Sequence, residues 1–214
     1  MEAKVFSTDG KEVRSIELND EVFGHKVSNG CIYYAINNEL ANRRVGTACT
    51  KTRAEVNYSN TKPYKQKGTG NARQGDKKSP LLVGGGTIFG PRPREYGWVL
   101  PKKMKRLAMK SLLTLGVKEN RLVVVEDFTA ANGKTKELIS ILKAFNPDET
   151  RTLVVLKGND ALLRRAARNI PYVHVQAYDK LSAHELLYGR KILVLETAAK
   201  NLNDFYGETK EAAK

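Results

Sequence analysis

Cysteine is scarce: Cys31 and Cys49 are the only two among 214 residues, 18 positions apart. That is neither a metal-binding spacing nor the density of a disulfide scaffold, so both are read as reduced thiols and no metal is expected. Long apolar runs are missing too. Nothing approaches the ~18 residues of a membrane span, and the opening MEAKVFSTDGKEV lacks the basic-then-apolar order of a secretory leader. The expectation is a cytoplasmic protein with no membrane partner and no need of an obligate homo-oligomer. Only three histidines occur, His25, His174 and His184, scattered along the chain, and no Ser/His/Asp or Cys/His set presents itself. No catalytic residue is expected. Phosphate-binding glycine motifs are absent from the places where they would act. The runs VVVEDF and VVLKGND are followed by neither G-x-G-x-x-G nor G-x-x-x-x-G-K-[ST]; Gly70 to Gly75 imitates the second, but Asp76 stands in place of the lysine. No cofactor is expected either.

Acidic residues are in deficit, 23 against 37 Lys and Arg, giving a formal charge of +14. Such a balance points to a polyanionic partner. Its distribution says more than its size. Residues 42–110 hold 17 basic residues and three acids (Glu55, Asp76, Glu95), whereas the rest of the chain holds 20 of each. The same third contains five of the seven prolines and nine of the 17 glycines. Composition therefore divides the protein into a charge-balanced part outside 42–110 and a basic, breaker-rich insertion; the organisation read from this is a globular body, 1–45 and 103–214, and an extended loop, 46–102.

The body reads as α/β. AKVFST and EVRSIEL alternate apolar and polar around Asp9-Gly10, a hairpin signal. Ile32, Ala35, Ile36 and Leu40 share a helical face ending near Arg43-Arg44, and Met104, Leu107, Ala108, Ser111, Leu112 and Leu115 form another, with Lys103, Lys105, Arg106 and Lys110 off it. From residue 119 the runs RLVVVED, TLVVLKG, YVHVQA and RKILVLE alternate with helical spacing around 134–145, 160–169 and 182–188, and a last helix is expected near 197–206. Short β-branched runs alternating with helices predict a parallel sheet with helices on both faces, and the long basic loop is inserted between two helices.

KPYKQKGTGNARQG, residues 62–75, has no Val, Ile, Leu, Met or Phe, four positive charges and no negative one. From 57 to 80 there is no large aliphatic side chain, so these 24 residues cannot build a core. Ordering them costs on the order of 24–48 kcal/mol of backbone entropy, beyond the stability of an ordinary domain. Two readings follow. One is a flexible basic linker. The other is an arm ordered by RNA, favoured by Tyr58, Tyr64, Phe89, Tyr96 and Trp98 interleaved with the cations: flat rings suit stacking on bases, and Lys and Arg suit phosphates. An enzyme alternative, an α/β nucleotide-binding body with an RNA-targeting loop, predicts saturable binding of a small nucleotide.

LANRRVGTACTKTRAEV, KPYKQKGTGNARQG, SPLLVGGGTIFGPRPREY and PKKMKRLAMKSLL resemble consecutive stretches of the bacterial "L four" family of large-ribosomal-subunit proteins. The resemblance implies an α/β body on the ribosome surface and a loop entering the large-subunit (23S) rRNA early in assembly, its tip at the nascent-peptide tunnel. It implies neighbouring ribosomal proteins as partners and, in some members, repression of the protein's own operon mRNA. Carried over by position, the tip comprises Tyr64, Lys65, Gln66 and Lys67. Lys62, Arg73, Lys77, Lys78, Arg92, Arg94 and Tyr96 would meet rRNA along the loop. At its base would lie Arg43, Arg44, Lys51, Arg53, Lys102, Lys103, Lys105, Arg106 and Lys110. The chain departs from the family pattern with Tyr64 in place of Trp, Asn71 in place of a basic residue, and Trp98 where a polar residue is expected. Arg164, Arg165 and Arg168 are read either as a solvated helix face or as a second RNA contact.

Overall fold

The computed structural model describes residues 1–130 and 133–207. The chain forms two units, one of residues 1–40 with 98–214 and one of residues 41–97.

The first unit is built on one six-stranded sheet. Its strands are β1 (Glu2–Phe6), β2 (Glu12–Glu17), β3 (Leu122–Val125), β4 (Thr152–Leu156), β5 (Val173–Ala177) and β6 (Lys191–Leu195), in the order β2-β1-β3-β6-β4-β5. Only β1 and β2 are antiparallel; β1, β3, β6, β4 and β5 pair in parallel. The apolar runs of the sequence are thereby explained. A parallel strand covered on both faces has no polar side, and all five residues of TLVVL in β4 are buried. β6 is inserted between β3 and β4, with Leu122 opposite Ile192 and Val154 opposite Leu193.

The helices are α1 (Asp20–Phe23), α2 (Asn29–Asn42), α3 (Lys102–Lys118), α4 (Thr135–Phe145), α5 (Ala161–Ala167), α6 (Ala183–Tyr188) and α7 (Glu196–Gly207). From β3 through β4 to β5 the chain moves in one direction along the sheet, and from β5 to β6 it moves back. Right-handed crossovers then put α4 and α5 on one face and α6 on the other. The packing agrees: α4 touches α5, while α6 touches α3. This is the expected α/β architecture with a mostly parallel sheet.

Three details differ from the sequence reading. The single turn α1 has no period to reveal it, and is instead set by Asn19, whose side-chain oxygen accepts from the Glu21 amide at 2.9 Å. α3 buries more than one face: Met109, Leu113 and Thr114 join Ala108, Ser111 and Leu112 inside, because both α1 and α6 pack on it. α2 ends at Asn42, so Arg43 and Arg44 lie beyond the helix.

Between α2 and α3, residues 43–101 contain no helix or strand. Two limbs of the second unit run side by side. The Arg94 amide donates to Gly46 O at 3.1 Å, Thr50 N to Pro91 O at 3.1 Å and Thr87 N to Lys51 O at 2.9 Å. Gly46 is required there: its φ is +67°, and a Cβ would stand 2.0 Å from Arg94 O. Among the described residues, no backbone–backbone hydrogen bond involves 59–75.

Candidate nucleic-acid interface

Nearly every cation of the basic segment faces outward. Arg43, Arg44, Lys51, Arg53, Lys62, Lys65, Lys67, Arg73, Lys77, Arg92 and Arg94 are exposed, and Lys78 is half-buried. Two of its three acids, Glu55 and Asp76, are paired within the segment itself. The Glu55 carboxylate accepts from Arg92 Nη1 at 2.9 Å and from the Thr52 amide at 2.9 Å. The Arg92 hydrogen bond, with the Thr52 amide behind it, holds the Glu55 carboxyl down at about 2. Asp76 accepts from the Lys78 amide at 3.0 Å and lies 3.9 Å from Arg53 Nε. Each pairing offsets one cation as well as one acid, so the outward field comes from the cations that have no acidic neighbour.

The aromatic side chains are not equivalent. The guanidinium carbons of Arg44 and Arg94 lie 3.6 and 4.4 Å from the Tyr96 ring centroid, a cation–π arrangement that brings arginines from both limbs to one ring. Arg94 first, then Arg44, lowers the Tyr96 hydroxyl below the usual phenol value. Tyr64, half-buried, donates its hydroxyl to Ala72 O, and Lys62 donates to the Gln66 side chain, so Tyr64 and Gln66 have partners within the stretch that carries them. Lys65 and Lys67 are exposed beside them. Trp98 contributes its carbonyl to the buried Asn38 side chain while the indole stays 40% exposed. That backbone contact is open to any residue at position 98, and the structure gives no reason for an indole there.

The amino end of α3 is unusual. Lys102, Lys103, Lys105 and Arg106 are exposed and crowd its start, with no acid in the first turn and no side-chain cap on Pro101. Cations belong at the opposite end of a helix dipole; each here opposes the field by about 0.3–1 kcal/mol, which a bound anion would offset. Lys110 lies a turn and more further along, half-buried.

The body offers little chemistry. The crevice at the carboxyl ends of β3, β4 and β6, where open α/β sheets bind ligands, is lined by Asp127, Phe128, Lys157, Asp160 and Thr197 among others. Both carboxylates have structural duties there. Asp127 accepts from the Thr197 amide and hydroxyl, and Asp160 caps α5 through the Leu162 and Leu163 amides. A mixed titratable cluster, Glu185 with Arg151 at 2.7 Å and His184 at 3.4 Å, lies elsewhere. Burial, the largest single effect, pushes the Glu185 carboxyl up, but the Arg151 hydrogen bond together with the other contributions of His174, Arg151 and His184 outweighs it, and the net shift is down. His174 Nδ1 lies 4.0 Å from the same carboxylate. Among the described residues no cluster of His, Cys, Asp and Glu could hold a metal, and no helix is long and apolar enough to cross a membrane.

Sequence reasoning missed two features of this surface. One is the internal pairing of Glu55 and Asp76, which joins residues far apart in sequence. The other is the pose of Phe89, a fully exposed ring on a backbone with φ +53°; the neighbouring GGG run was the available signal that the chain turns tightly here.

Together these features define a class: an α/β body with a long cationic segment that has no core, suited to a polyanionic partner. Comparison with known proteins narrows it. The family model described as Ribosomal protein L4/L1 family matches residues 16–205. Over 207 residues the chain is 63% identical to the large ribosomal subunit protein uL4 of Treponema denticola, covering 97% of this chain and 98% of that protein. It is 60% identical over 214 residues to uL4 of Treponema pallidum subsp. pallidum, covering 100% and 98%. Against uL4 of Borrelia duttonii it is 52% identical over 207 residues, covering 96% and 99%. The chain belongs to the ribosomal protein L4/L1 family. It is a structural ribosomal protein and not an enzyme.

Proposed function

We propose that the chain is a constituent of the large ribosomal subunit that binds large-subunit rRNA through residues 46–102 during assembly, with 1–45 and 103–214 as scaffold and docking surface for neighbouring proteins. The observation that carries this reading is the placement of charge. The whole positive excess lies on residues 42–110, most of which belong to a stretch, 43–101, without helix or strand, and two of the three acids there are engaged by groups of the same segment. A polyanion threaded along such a segment releases counterions at each contact and supplies the free energy that the missing core cannot. The body carries its own exposed cations, at the start of α3, with no acid in the first turn. By position in the family, Tyr64, Lys65, Gln66 and Lys67 are assigned to the wall of the nascent-peptide tunnel.

Repression of the protein's own operon mRNA is a second reading, favoured by the exposed Arg164, Arg165 and Arg168 on and just after α5. Replacing all three by glutamine should abolish leader-dependent repression without affecting subunit assembly; unchanged repression rejects that role.

The principal test is sedimentation of the native protein from lysate on sucrose gradients. Cosedimentation with the large subunit through a high-salt wash, with release only on RNase treatment, is the expected result. A small free species at moderate salt overturns the reading.

A further inference from the structure

Phe89 is the most exposed aromatic residue of the described surface. Its ring is fully exposed at 103% of the reference area, and its backbone sits at φ +53°, a conformation that costs a bulky L-residue free energy and that Gly or Asn would adopt more readily. Neighbouring Ile88 is 60% exposed. Water is a poor environment for both.

The turn that holds them is tightly built. A Cβ on Gly85 would lie 1.9 Å from Ser79 O, on Gly86 2.3 Å from Arg53 N, and on Gly90 2.0 Å from Thr50 Oγ1. Gly86 N donates to Lys78 O at 3.0 Å and Thr87 N to Lys51 O at 2.9 Å. Residues 85–90 are thus clamped between two stretches of the basic segment, and Phe89 projects from a fixed point rather than from a loose loop. Two other rings of the segment are engaged, Tyr96 by two guanidiniums and Tyr64 through its hydroxyl, and Tyr58 and Trp98 are less than half as exposed as Phe89.

The geometry points to Phe89 as a stacking wedge for an unpaired base of the RNA, set beside the phosphate contacts of Lys51, Arg53 and Arg92. This rests on the rRNA-binding reading above and gives that surface a specific base subsite. Charge complementarity selects RNA over an apolar protein pocket. Lys51 is exposed with no acidic partner among the described residues and carries the unbalanced positive charge here, while the exposed Arg53 and Arg92 each face an acid, Asp76 and Glu55, and add guanidinium donors beside it. A protein pocket would have to bury a ring while facing this cationic rim. A splayed base offers a flat face to the ring and phosphates to the rim at once.

The test uses the full-length chain and protein-free large-subunit rRNA, with affinity measured across salt concentrations and unpaired bases probed with base-directed reagents. Phe89→Trp should bind as the parent does. Phe89→Leu, apolar but not flat, and Phe89→Asn, which suits the left-handed backbone, should each lose about 5- to 150-fold in affinity, as expected for one stacked base. Their salt slopes should not change, and one base protected by the parent should become reactive. If the parent protein fails to bind this RNA at moderate salt, the rRNA-binding reading itself falls and the wedge with it. If the parent binds and Phe89→Leu and Phe89→Asn match it in affinity and base protection, the wedge is wrong while that reading stands. The same holds if those variants bind RNA normally but yield subunits lacking a neighbouring protein, which would assign Phe89 to a protein contact.

Discussion

Arg92 donates to Glu55 at 2.9 Å across 37 residues of sequence, tying one limb of the basic segment to the other. The pair is exposed, so its worth lies in geometry more than in stability. It holds the limbs near the Gly46–Arg94 and Thr50–Pro91 hydrogen bonds and offsets the charge of both partners.

The pairing should be visible as a titration. Glu55 is held at about 2, chiefly by Arg92 and then by the Thr52 amide, against 4.5 for the free side chain. A lowered carboxyl favours the folded arrangement above the unfolded value, near pH 4.5, and loses that preference as pH falls through about 2. Carboxyl-carbon NMR should therefore find Glu55 ionised at pH 3, and Arg92→Gln should move its midpoint up toward the free value. A midpoint unmoved by Arg92→Gln would show that the pair does not form in solution.

The same pairing predicts unequal roles for the cations in rRNA binding. Lys65→Gln, which removes an exposed lysine, should reduce the dependence of log affinity on log salt by roughly 0.7–0.9. Arg92→Gln should reduce it by less, because Arg92 already carries a counter-charge. Filter binding at four or more salt concentrations decides this, and equal slopes for the two variants would contradict it.

Two glycines of the segment should respond oppositely to alanine. Gly86 has no room, its Cβ meeting Arg53 N at 2.3 Å, whereas Gly75 has nothing within 4 Å and a backbone that alanine can adopt. Gly86→Ala should introduce about 1–3 kcal/mol of local strain and weaken rRNA binding with the body's melting temperature unchanged. Gly75→Ala should bind normally. Equal behaviour in binding assays would show that the turn at 79–90 does not act as a rigid unit.

Glu39 joins the end of α2 to the start of α6. Its carboxylate accepts from the Ala183 amide at 2.7 Å, the His184 amide at 3.0 Å and the Ser182 hydroxyl at 2.6 Å, taking up amides that a helix leaves unpaired at its start. Glu39→Ala should cost roughly 1.5–3 kcal/mol in urea denaturation, as for other hydrogen bonds to charged groups. Hydrogen exchange should quicken first at the Ala183 and His184 amides. Unchanged stability would remove Glu39 from the set of contacts that fix α2.

Much of this protein is readable without coordinates because its signals are local. TLVVL and KILVL are apolar throughout, and only a strand covered on both faces uses such runs at that length. The period of Ile32, Ala35 and Ile36 marks α2, and Gly, Pro and Lys density marks the segment that cannot build a core. These properties depend on neighbours within a few residues, so the sequence by itself determined the α/β class, the helices and strands, the partition of charge and the family resemblance. Other features depend on groups far apart in the chain. The insertion of β6 between β3 and β4, the burial of Met109 and Leu113 by helices from elsewhere, the grip of Arg92 on Glu55 and the two guanidiniums on Tyr96 were decided only by the tertiary structure. So was the pose of Phe89, because a left-handed backbone at a bulky residue is held by what surrounds it and not by its own preference.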